Sequence, residues 1–451
     1  MTIHNGSDPN DDFTPDESPN PKPARRRADT GREPTLMPGH LGTRLVSLAA
    51  LVERIVAAFE QEHDITSPEM MAAHSQSDQL RLLRDTTQYV LAVESMVISP
   101  EEQADIMRRA HAELFGYGPL DAFFADSTVT TISIEGADKA SVRYGHGDLV
   151  MQPPLFEDQA QLQRIIGRLL KRAHAAIQPD YPYLETGFTL NGRPMSLSLV
   201  LPPVTPLLTA DLRLHPAQLP PLESFVDSEA ACTLLTAIAQ SPHGLVVVGE
   251  AESGKTTLLA MLAALSGQAG IMSVERAGEL RLPADAVQHK VQWAVGDDQP
   301  NISFAEQIAA VLAQAPACIL LDEVRADEPG AILPLLSAVQ PPRQMWAFRG
   351  PAESKRLASA LGMLARRGDA THSEALVGAL YRQLPFVIVV RRREGRLHLH
   401  SINEWQFAPG ADYPDYVALM ERGWDGIALT GKRPAQGLAL PEAFWAAPPS
   451  Q

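Results

Sequence analysis

The spacing of apolar residues changes along the chain and divides it into regions of different structure. Between about 41 and 115, apolar side chains recur every three or four positions, which predicts a helical module. Alternating segments and one amphipathic helix between 116 and 220 predict a small α+β domain. From 221 to 405, short continuous apolar runs separate helical segments, as in parallel strands that are covered on both faces. We therefore predict an α/β fold with two smaller units ahead of its parallel sheet.

Residues at the ends of the predicted elements support this division. Ser99, followed three residues later by Glu102, has the pattern of a capped helix start. Asp158 precedes the amphipathic segment as a candidate N-cap, and Asn191-Gly192 predicts a tight hairpin turn. The predicted parallel strands lie at 245–248, 271–274, 318–321 and 386–390.

The two ends of the chain differ in composition from its centre. Residues 1–40 are rich in proline and polar side chains, so little apolar surface is available to offset the entropy of ordering, and we expect a disordered tail. A docking arm anchored by Arg25, Arg26 and Arg27 is the functional alternative for this tail. Residues 406–451 are rich in proline, glycine and tryptophan, and they are predicted to form an extension to which the sequence assigns no role.

The chain has 451 residues and a formal net charge of −16, from 38 basic and 54 acidic side chains. An acidic chain is a poor candidate for non-specific nucleic-acid binding, and we interpret Arg391-Arg392-Arg393 as a solvated strand end. Two cysteines cannot form a disulfide framework, which favours a reducing compartment. The chain contains no run of about 18 apolar residues, so no transmembrane helix is expected. Together these features indicate a globular cytoplasmic protein.

The most specific motif follows the first predicted parallel strand and opens an apolar helix. Residues 249–256 fit the pattern G-x-x-x-x-G-K-[ST], in which backbone amides and a helix N-terminus surround phosphates. Lys255 would reach the β- and γ-phosphate oxygens of ATP, and the Thr256 hydroxyl would ligate Mg²⁺. The predicted nucleotide-binding residues are Gly249, Glu250, Ala251, Glu252, Ser253, Gly254, Lys255, Thr256 and Thr257.

Two of these residues, Glu250 and Glu252, carry a charge of the same sign as the phosphates. Side chains directed at the phosphates would oppose binding, whereas outward-facing side chains would matter little. We expect both glutamates to face outward and nucleotide binding to be retained.

Acidic residues follow two of the other predicted strands. Asp322 and Glu323 come directly after the third strand, and Glu275 follows the second. Parallel strands deliver their carboxyl ends to one edge of a sheet, so these side chains should reach the same crevice as Lys255. We expect Asp322 to hold Mg²⁺ through water and Glu323 to orient the attacking water.

Taken in order, these residues resemble the secretion-type ATPase family. That family includes the traffic ATPases of type II and type IV secretion and of type IV pili, and the similarity is greatest to the CpaF-type ATPases of Tad pilus assembly. It covers about residues 41–405. The pair Glu275/Glu279 and the run Glu323-Val324-Arg325 are more particular to this family than the phosphate-binding loop. The other matching motifs are FGYGPL at 115–120, NGR at 191–193, LPP at 201–203, YRQL at 381–384 and a hairpin turn at Glu394-Gly395.

The resemblance implies a hexameric ring of this chain, in which ATP binds between a RecA-like P-loop domain and the preceding α+β domain. Such rings act on the cytoplasmic face of inner-membrane platform proteins. By motif position, Glu275 resembles the family's catalytic glutamate and Glu323 its Walker B glutamate. Arg193 and Arg213 stand where the family places arginines that reach the phosphates, although an ordinary salt-bridge role is the alternative for each.

The sequence departs from the family pattern at several positions. Arg276 replaces an aspartate, Arg349 replaces a histidine, and Gly187 replaces a basic residue. Arginine cannot act as a proton shuttle, so we expect an ATPase that is slow or that depends on partner subunits. Two alternatives stay open from the sequence. One is a nucleotide-binding regulatory member with weak hydrolysis; the other is a P-loop translocase of nucleic acid, against which the acidic composition argues.

Overall fold

The computed structural model describes residues 36–38, 45–63, 73, 75–178, 181–295, 300–351, 353–393, 396–407 and 414–446. Most of the predicted tail at 1–40, with Arg25, Arg26 and Arg27, lies outside these residues, as does the predicted turn at Glu394-Gly395. The described residues form a helical module, an antiparallel sheet with a helix packed on it, and a larger α/β domain.

The helical module packs three helices around an apolar centre, within the described residues. Leu51, Ile55 and Ile106 are completely buried between the helices. Ser99 caps the third helix as predicted, since its hydroxyl accepts from the Glu102 amide and the Glu102 carboxylate accepts from the Ser99 amide. The elements are β1 (Leu36–Pro38), β2 (Leu45–Ser47), α1 (Leu48–Glu62), α2 (Gln76–Val93) and α3 (Pro100–Phe115).

The second unit, called the N-terminal domain below, is an antiparallel sheet with one long helix on a face. Its elements are α4 (Asp121–Ala125), β3 (Val129–Glu135), β4 (Lys139–Tyr144), β5 (Leu149–Gln152), α5 (Gln159–Arg172), β6 (Tyr183–Leu190), β7 (Arg193–Val200) and β8 (Thr209–Leu214). The strand order is β5-β4-β3-β8-β7-β6. Asp158 caps α5 by accepting from the Gln161 amide at 2.7 Å. Asn191 and Gly192, with φ of 52° and 75°, form the predicted turn between β6 and β7.

The third unit is the RecA-like domain that the resemblance implied. It begins with α6 (Leu222–Phe225), α7 (Glu229–Gln240), β9 (Leu245–Gly249), α8 (Lys255–Ser266), β10 (Ile271–Glu275), β11 (Val287–Lys290), α9 (Phe304–Leu312) and β12 (Cys318–Val324). It continues with α10 (Pro329–Leu336), β13 (Arg343–Arg349), α11 (Ser354–Gly368), α12 (Ser373–Gln383), β14 (Phe386–Arg393), β15 (Arg396–Gln406), β16 (Asp415–Arg422), β17 (Ile427–Leu429) and α13 (Glu442–Trp445).

One sheet runs through this domain in the order β11-β10-β12-β13-β9-β14-β15-β16-β17. Its members from β11 to β14 are parallel, and the predicted parallel strands are all among them. Alternate residues of β9 enter opposite cores: Leu245 and Val247 pack on one face, and Val246 and Val248 on the other. This burial on both faces explains why each strand is a continuous apolar run.

Residues after 405 were predicted to form an extension without a role, but part of them completes the sheet. Strand β16 pairs antiparallel with β15, and β17 pairs with β16. Leu419, Met420 and Ile427 are buried in the same core as β9. The RecA-like domain therefore continues to at least 429. Its last strands are short and only partly apolar, so the sequence pattern did not reveal them.

Neither cysteine is in a disulfide. Cys318 is buried in the sheet and Cys232 is half-buried in α7. Burial raises the pKa of the Cys318 thiol to about 11, so this side chain behaves as a small apolar group. Among the helices described here, none combines the length and the apolar character needed to cross a membrane.

The N-terminal domain docks on the RecA-like domain through very close backbone contact at Gly187. A Cβ atom at this position would lie 1.7 Å from the carbonyl oxygen of Ala277. Lys290 donates to the Gly187 carbonyl at 2.9 Å, and Trp293 donates from its ring N–H to the Glu185 carbonyl at 2.6 Å. The glycine that replaces the family's basic residue therefore permits this approach.

We expect Gly187→Ala to force the two domains apart locally, because the obstructing atom belongs to the backbone and cannot rotate away. The free energy of unfolding should fall by about 1–3 kcal/mol, and amide hydrogen exchange at 276–280 should accelerate. The matched control is Gly167→Ala in α5, where nothing lies within 4 Å of the added atom. That variant should gain about 0.5–1 kcal/mol from helix propensity. Equal stability of the two variants would contradict the docking contact.

Candidate functional site

A cleft of about 230 Å³ lies between the RecA-like and N-terminal domains. The loop after β9 forms its floor, and β12 and β13 bring Glu323 and Arg349 to it, because parallel strands end at one edge of the sheet. The opposite wall comes from the N-terminal domain, including Arg213 on β8. The charged lining residues are Arg143, Glu185, Arg213, Glu252, Lys255, Glu279, Glu323, Arg325, Arg349 and Arg392.

The cleft is positively charged although the chain as a whole is acidic. Its lining holds five arginines and one lysine against four glutamates, a formal excess of two positive charges. Such a concave, cationic site surrounded by protein concentrates anions. Its composition therefore suits a polyphosphate.

The phosphate-binding loop has the geometry that its glycines predict. A Cβ at Gly249 would meet the Ser253 hydroxyl at 2.3 Å, and Gly254 has φ of 85° just before α8 begins. The loop therefore has no room for a side chain at Gly249, and the positive φ of Gly254 disfavours any other residue there. The N-terminus of α8 leaves free amides at the cleft, as an anion requires.

Lys255 enters the cleft almost completely buried, with 7% of its surface exposed. Burial lowers its pKa to about 8, and the charge of Glu323 partly opposes that shift. The ammonium group donates to the carbonyl oxygen of Glu250 at 2.7 Å. This lysine is therefore a poorly solvated cation that would gain from an incoming anion.

The two glutamates of the loop behave differently. Glu250 is exposed, as expected. The expectation for Glu252 was wrong: its side chain lines the cleft and forms an ion pair with Arg143 of β4. A left-handed backbone conformation, φ 58°, accompanies this direction. The arginines that face it from the other domain supply the charge that makes an inward carboxylate tolerable.

Glu323 lies in the cleft and belongs to an ion-pair chain that joins the domains. Arg325 donates to Glu323 at 3.1 Å and to Glu185 of β6 at 2.6 Å. The pairing of β12 with β13 is irregular between Leu321 and Val324, which is where the strand turns Glu323 toward the cleft. Its position is therefore coupled to the N-terminal domain.

Glu275 does not reach the cleft, contrary to our expectation. The side chain has no exposed surface, and its carboxylate accepts from Ser273 at 2.6 Å and from the Leu280 amide at 2.9 Å. The reason is that residues 276–280 fold back over the end of β10 and cover it. Burial raises its pKa, which disfavours the ionised form.

The carboxylate that this segment places in the cleft is Glu279, which we had noted only as part of a motif. It lies 3.3 Å from the ring of His215 on the N-terminal domain side. Burial is the largest single influence and opposes its ionisation, but His215, Ser196 and Arg213 together outweigh burial and lower the pKa of Glu279 to about 2. The spacing of Glu275 and Glu279 was the available signal, and it did not reveal which one the fold would expose.

Asp322 is also buried beneath the cleft instead of lining it. One carboxylate oxygen accepts from the Arg276 amide at 2.7 Å. The other is buried and has no hydrogen-bond partner among the described residues. Burial, reinforced by the nearby Glu275, raises the pKa of Asp322 well above its ordinary value. In this arrangement the carboxylate is not presented to a metal ion in the cleft.

Of the two arginines proposed from the family resemblance, one lines the cleft and the other is buried away from it. Arg213 lines the cleft. Arg193 does not, because its guanidinium is buried within the N-terminal domain and donates to backbone carbonyls, among them Asp126 at 2.9 Å and Val129 at 2.8 Å. All its nitrogens are occupied there. Arg193 therefore has a buried structural role, which differs both from the expected phosphate contact and from the ordinary surface or salt-bridge role that was the alternative.

The two substituted family positions also have local explanations. Arg276 forms two hydrogen bonds with Glu328, at 3.1 and 2.8 Å, and its guanidinium lies 4.4 Å from the centre of the Phe304 ring. It is thus a packed, paired residue directed away from the cleft. Arg349, by contrast, lines the cleft and adds positive charge where the family has histidine.

Two further arginines of the cleft were missed by sequence reasoning. Arg143 comes from β4, more than a hundred residues before the loop, and no motif marks it. Arg392 belongs to the charge run that we interpreted as a solvated strand end, yet its guanidinium lies 3.5 Å from Glu252. The domain contact brings Arg143 to the site, whereas Arg392 reaches it at the end of β14, the neighbour of β9 in the sheet.

The residues of the loop fit a complex of Mg²⁺ with a nucleotide. The Ser253 hydroxyl is buried and has no partner among the described residues, so it has donor and acceptor capacity to spare. Thr256, the residue type that ligates Mg²⁺ at this motif position, lines the cleft together with Glu323. Ser253, Lys255 and Thr256 are therefore the residues that would hold the phosphates and the metal.

The known proteins described next, which are similar to this chain, are named for conjugal transfer, type IV secretion or pilus retraction. A Mycobacterium tuberculosis protein named for conjugal transfer is 28% identical over 323 residues, which cover 66% of this chain and 90% of that protein. The VirB11 ATPase of the Brucella suis type IV secretion system is a similar solved structure, with 16% identity and a TM-score of 0.32 over 64% of this chain and 96% of its own.

Two other solved structures are similar to the same degree. The Legionella pneumophila ATPase DotB has 14% identity and a TM-score of 0.45, over 65% of this chain and 81% of its own. The pilus retraction motor PilT has 17% identity and a TM-score of 0.41, over 63% and 80%. The segment 211–340, which holds Arg213, the phosphate-binding loop and Glu323, matches the family model for type II/IV secretion system proteins. This segment is therefore similar to type II/IV secretion system proteins, which confirms that part of the resemblance inferred from the motifs; the greater similarity to CpaF-type ATPases stays a prediction.

Proposed function

We propose that the protein is an ATP-hydrolysing motor of a bacterial secretion or Tad-type pilus assembly system. The observation that carries this proposal is the cationic cleft itself. A complete phosphate-binding loop, a half-buried Glu323 and arginines from two domains converge there. The substrates are ATP and water, Mg²⁺ is the required metal, and the products are ADP and phosphate.

Binding uses the groups at the floor of the cleft. The amides of the loop and the N-terminus of α8 receive the phosphates, and Lys255 exchanges its bond to the Glu250 carbonyl for phosphate oxygens. Thr256 contributes the protein ligand to Mg²⁺, which when bound neutralises phosphate charge. Arg213 and Arg349 add positive charge around the terminal phosphate.

Glu323 is the residue that orients the attacking water. It is the carboxylate of the β12 end that faces the cleft, and Arg325 fixes its direction. Because Arg325 also holds Glu185 of the N-terminal domain, movement of that domain changes the position of Glu323. Hydrolysis and domain motion are thereby coupled in both directions.

A second candidate function rests on the buried acids. Glu275 and Asp322, the expected catalytic and metal-binding carboxylates, lie beneath the cleft, where burial raises the pKa of both. A protein with this arrangement would bind nucleotide and hydrolyse it weakly, as a regulatory subunit does.

The assembly proposed here follows the family resemblance. We propose a homo-hexameric ring that acts on the cytoplasmic face of an inner-membrane platform, with no specific nucleic-acid partner. Arg213 lines the cleft from the N-terminal domain and Arg325 lines it from the RecA-like domain, which supports a motor that works by relative domain motion.

Steady-state ATPase assays test the proposed activity. Glu323→Gln should lower kcat by about 10²–10⁴-fold, because water is no longer oriented by a carboxylate. Lys255→Ala should weaken nucleotide binding, because the cleft loses its buried cation. Glu135→Gln is the control, since this exposed acid pairs with Lys139 far from the cleft lining. Equal rates in the wild type, Glu323→Gln and Lys255→Ala would favour the regulatory candidate.

The pKa of Lys255 predicts how binding depends on pH. The amine is charged below pH 8 and binds phosphate in that form, so affinity is complete at lower pH and is lost as pH rises through about 8. The Kd of a non-hydrolysable ATP analogue with Mg²⁺ should therefore rise up to about tenfold for each pH unit above this point. Calorimetric titration across pH measures it. Lys255→Arg stays charged and should show a flat profile; the same inflection in that variant would assign it to another group.

A further inference from the structure

Glu252 occupies an unusual position for a residue of a phosphate-binding loop. Its carboxylate is ion-paired with Arg143 and lies 3.5 Å from Arg392 and 4.0 Å from Arg213. These arginines come from β4, β14 and β8, so three separate strands of two domains converge on a single acidic side chain. A surface ion pair does not require such convergence.

The same arginines face the space that a polyphosphate would use. All three line the cleft together with the loop residues Ser253, Lys255 and Thr256. The Arg143 side chain is only 12% exposed, and its Nε is buried with no hydrogen-bond partner among the described residues. Arg143 therefore lines a cationic cleft and has one donor that no described group uses.

A carboxylate and a phosphate present the same chemistry to a guanidinium group. Both are oxyanions that accept two parallel N–H···O bonds from arginine. They also cannot occupy one arginine cluster together without strong repulsion. Glu252 and the phosphates are consequently competitors for Arg143, Arg213 and Arg392.

We propose that Arg143 is a phosphate-binding residue of this site and that Glu252 is its internal substitute ligand, which the nucleotide must displace. The inference rests on the proposed nucleotide binding and adds a residue to it. Arg143 thus has the phosphate-binding role that we had expected of Arg193, whose guanidinium is bound to backbone carbonyls instead.

The exchange has a consequence for the domains. While Glu252 holds Arg143, the two domains are joined by a contact within the chain itself. When the phosphates take its place, the arginine stays on the same side of the cleft but its partner becomes the nucleotide. The contact between the domains then depends on whether nucleotide is bound to the loop. Because Glu252 competes for Arg143, the affinity for nucleotide is reduced.

Binding of the analogue AMP-PNP with Mg²⁺ to the full chain tests the exchange. Glu252→Gln should lower its Kd about tenfold, because the competing charge is gone while the side-chain size is kept. Glu135→Gln removes the same charge from an exposed pair outside the cleft and should leave the Kd unchanged. Thermal unfolding of each variant verifies that it is folded.

The decisive comparison is the double variant Glu252→Gln with Arg143→Ala. If Arg143 binds phosphate, removing it in the Glu252→Gln background should raise the Kd about tenfold relative to Glu252→Gln alone. If Arg143 serves only as the partner of Glu252, its removal there should change nothing, and the proposal is overturned. Arg143→Lys in the same background keeps the charge without the planar fork, and should fall between the two; it also replaces the alanine variant if that one fails to fold.

The outcomes separate this inference from the proposed function. Wild-type binding with an unchanged Kd in Glu252→Gln would leave nucleotide binding intact and refute the exchange. Binding by Glu252→Gln but not by the wild type would support a strong internal competitor. Absence of binding in every variant at millimolar AMP-PNP would remove the proposed function and the exchange with it.

Discussion

At the carboxyl edge of the parallel sheet, Lys255 and Glu323 line the cleft whereas Glu275 and Asp322 are buried beneath it, and the cost of removing charge from water governs what each can do. Lys255 is nearly buried, but it borders the space where a bound anion would compensate for its lost contacts with water. Glu275 and Asp322 lie beneath that space, and burial raises the pKa of both carboxyl groups. The chemistry of the site therefore depends on which strand ends the neighbouring segments cover.

The second domain supplies what the sheet edge lacks. It closes the cleft with Arg143 and Arg213, and it reaches Glu323 through the pair of Arg325 with Glu185. These contacts combine an acidic protein with a locally cationic site. They also make the position of the Glu323 carboxylate depend on the domain contact and not on the RecA-like domain alone, as the motor that we propose would require.

Local patterns were sufficient for much of the fold and for the floor of the site. Continuous apolar runs marked four of the six parallel strands described, and the glycines and Lys255 marked the loop, because each depends on residues adjacent in sequence. Strands β11 and β13 contain polar residues and were not predicted. The walls of the site could not be found this way. Whether Glu275 or Glu279 entered the cleft depended on how 276–280 folds back, and Arg143 is brought to Glu252 only by domain docking.

The docking contact has an asymmetry of its own. Arg281, Lys290 and Trp293 of the RecA-like domain all donate to main-chain oxygens of the facing hairpin, at Gly192, Gly187 and Glu185. These three contacts depend on the position of the hairpin backbone and not on its side chains. Apart from Gly187, which permits close approach, and Glu185, whose side chain pairs with Arg325, the outer residues of that hairpin can change without loss of these contacts. The N-terminal domain can thus change the surface chemistry of this hairpin over evolutionary time and still fit an unchanged RecA-like domain.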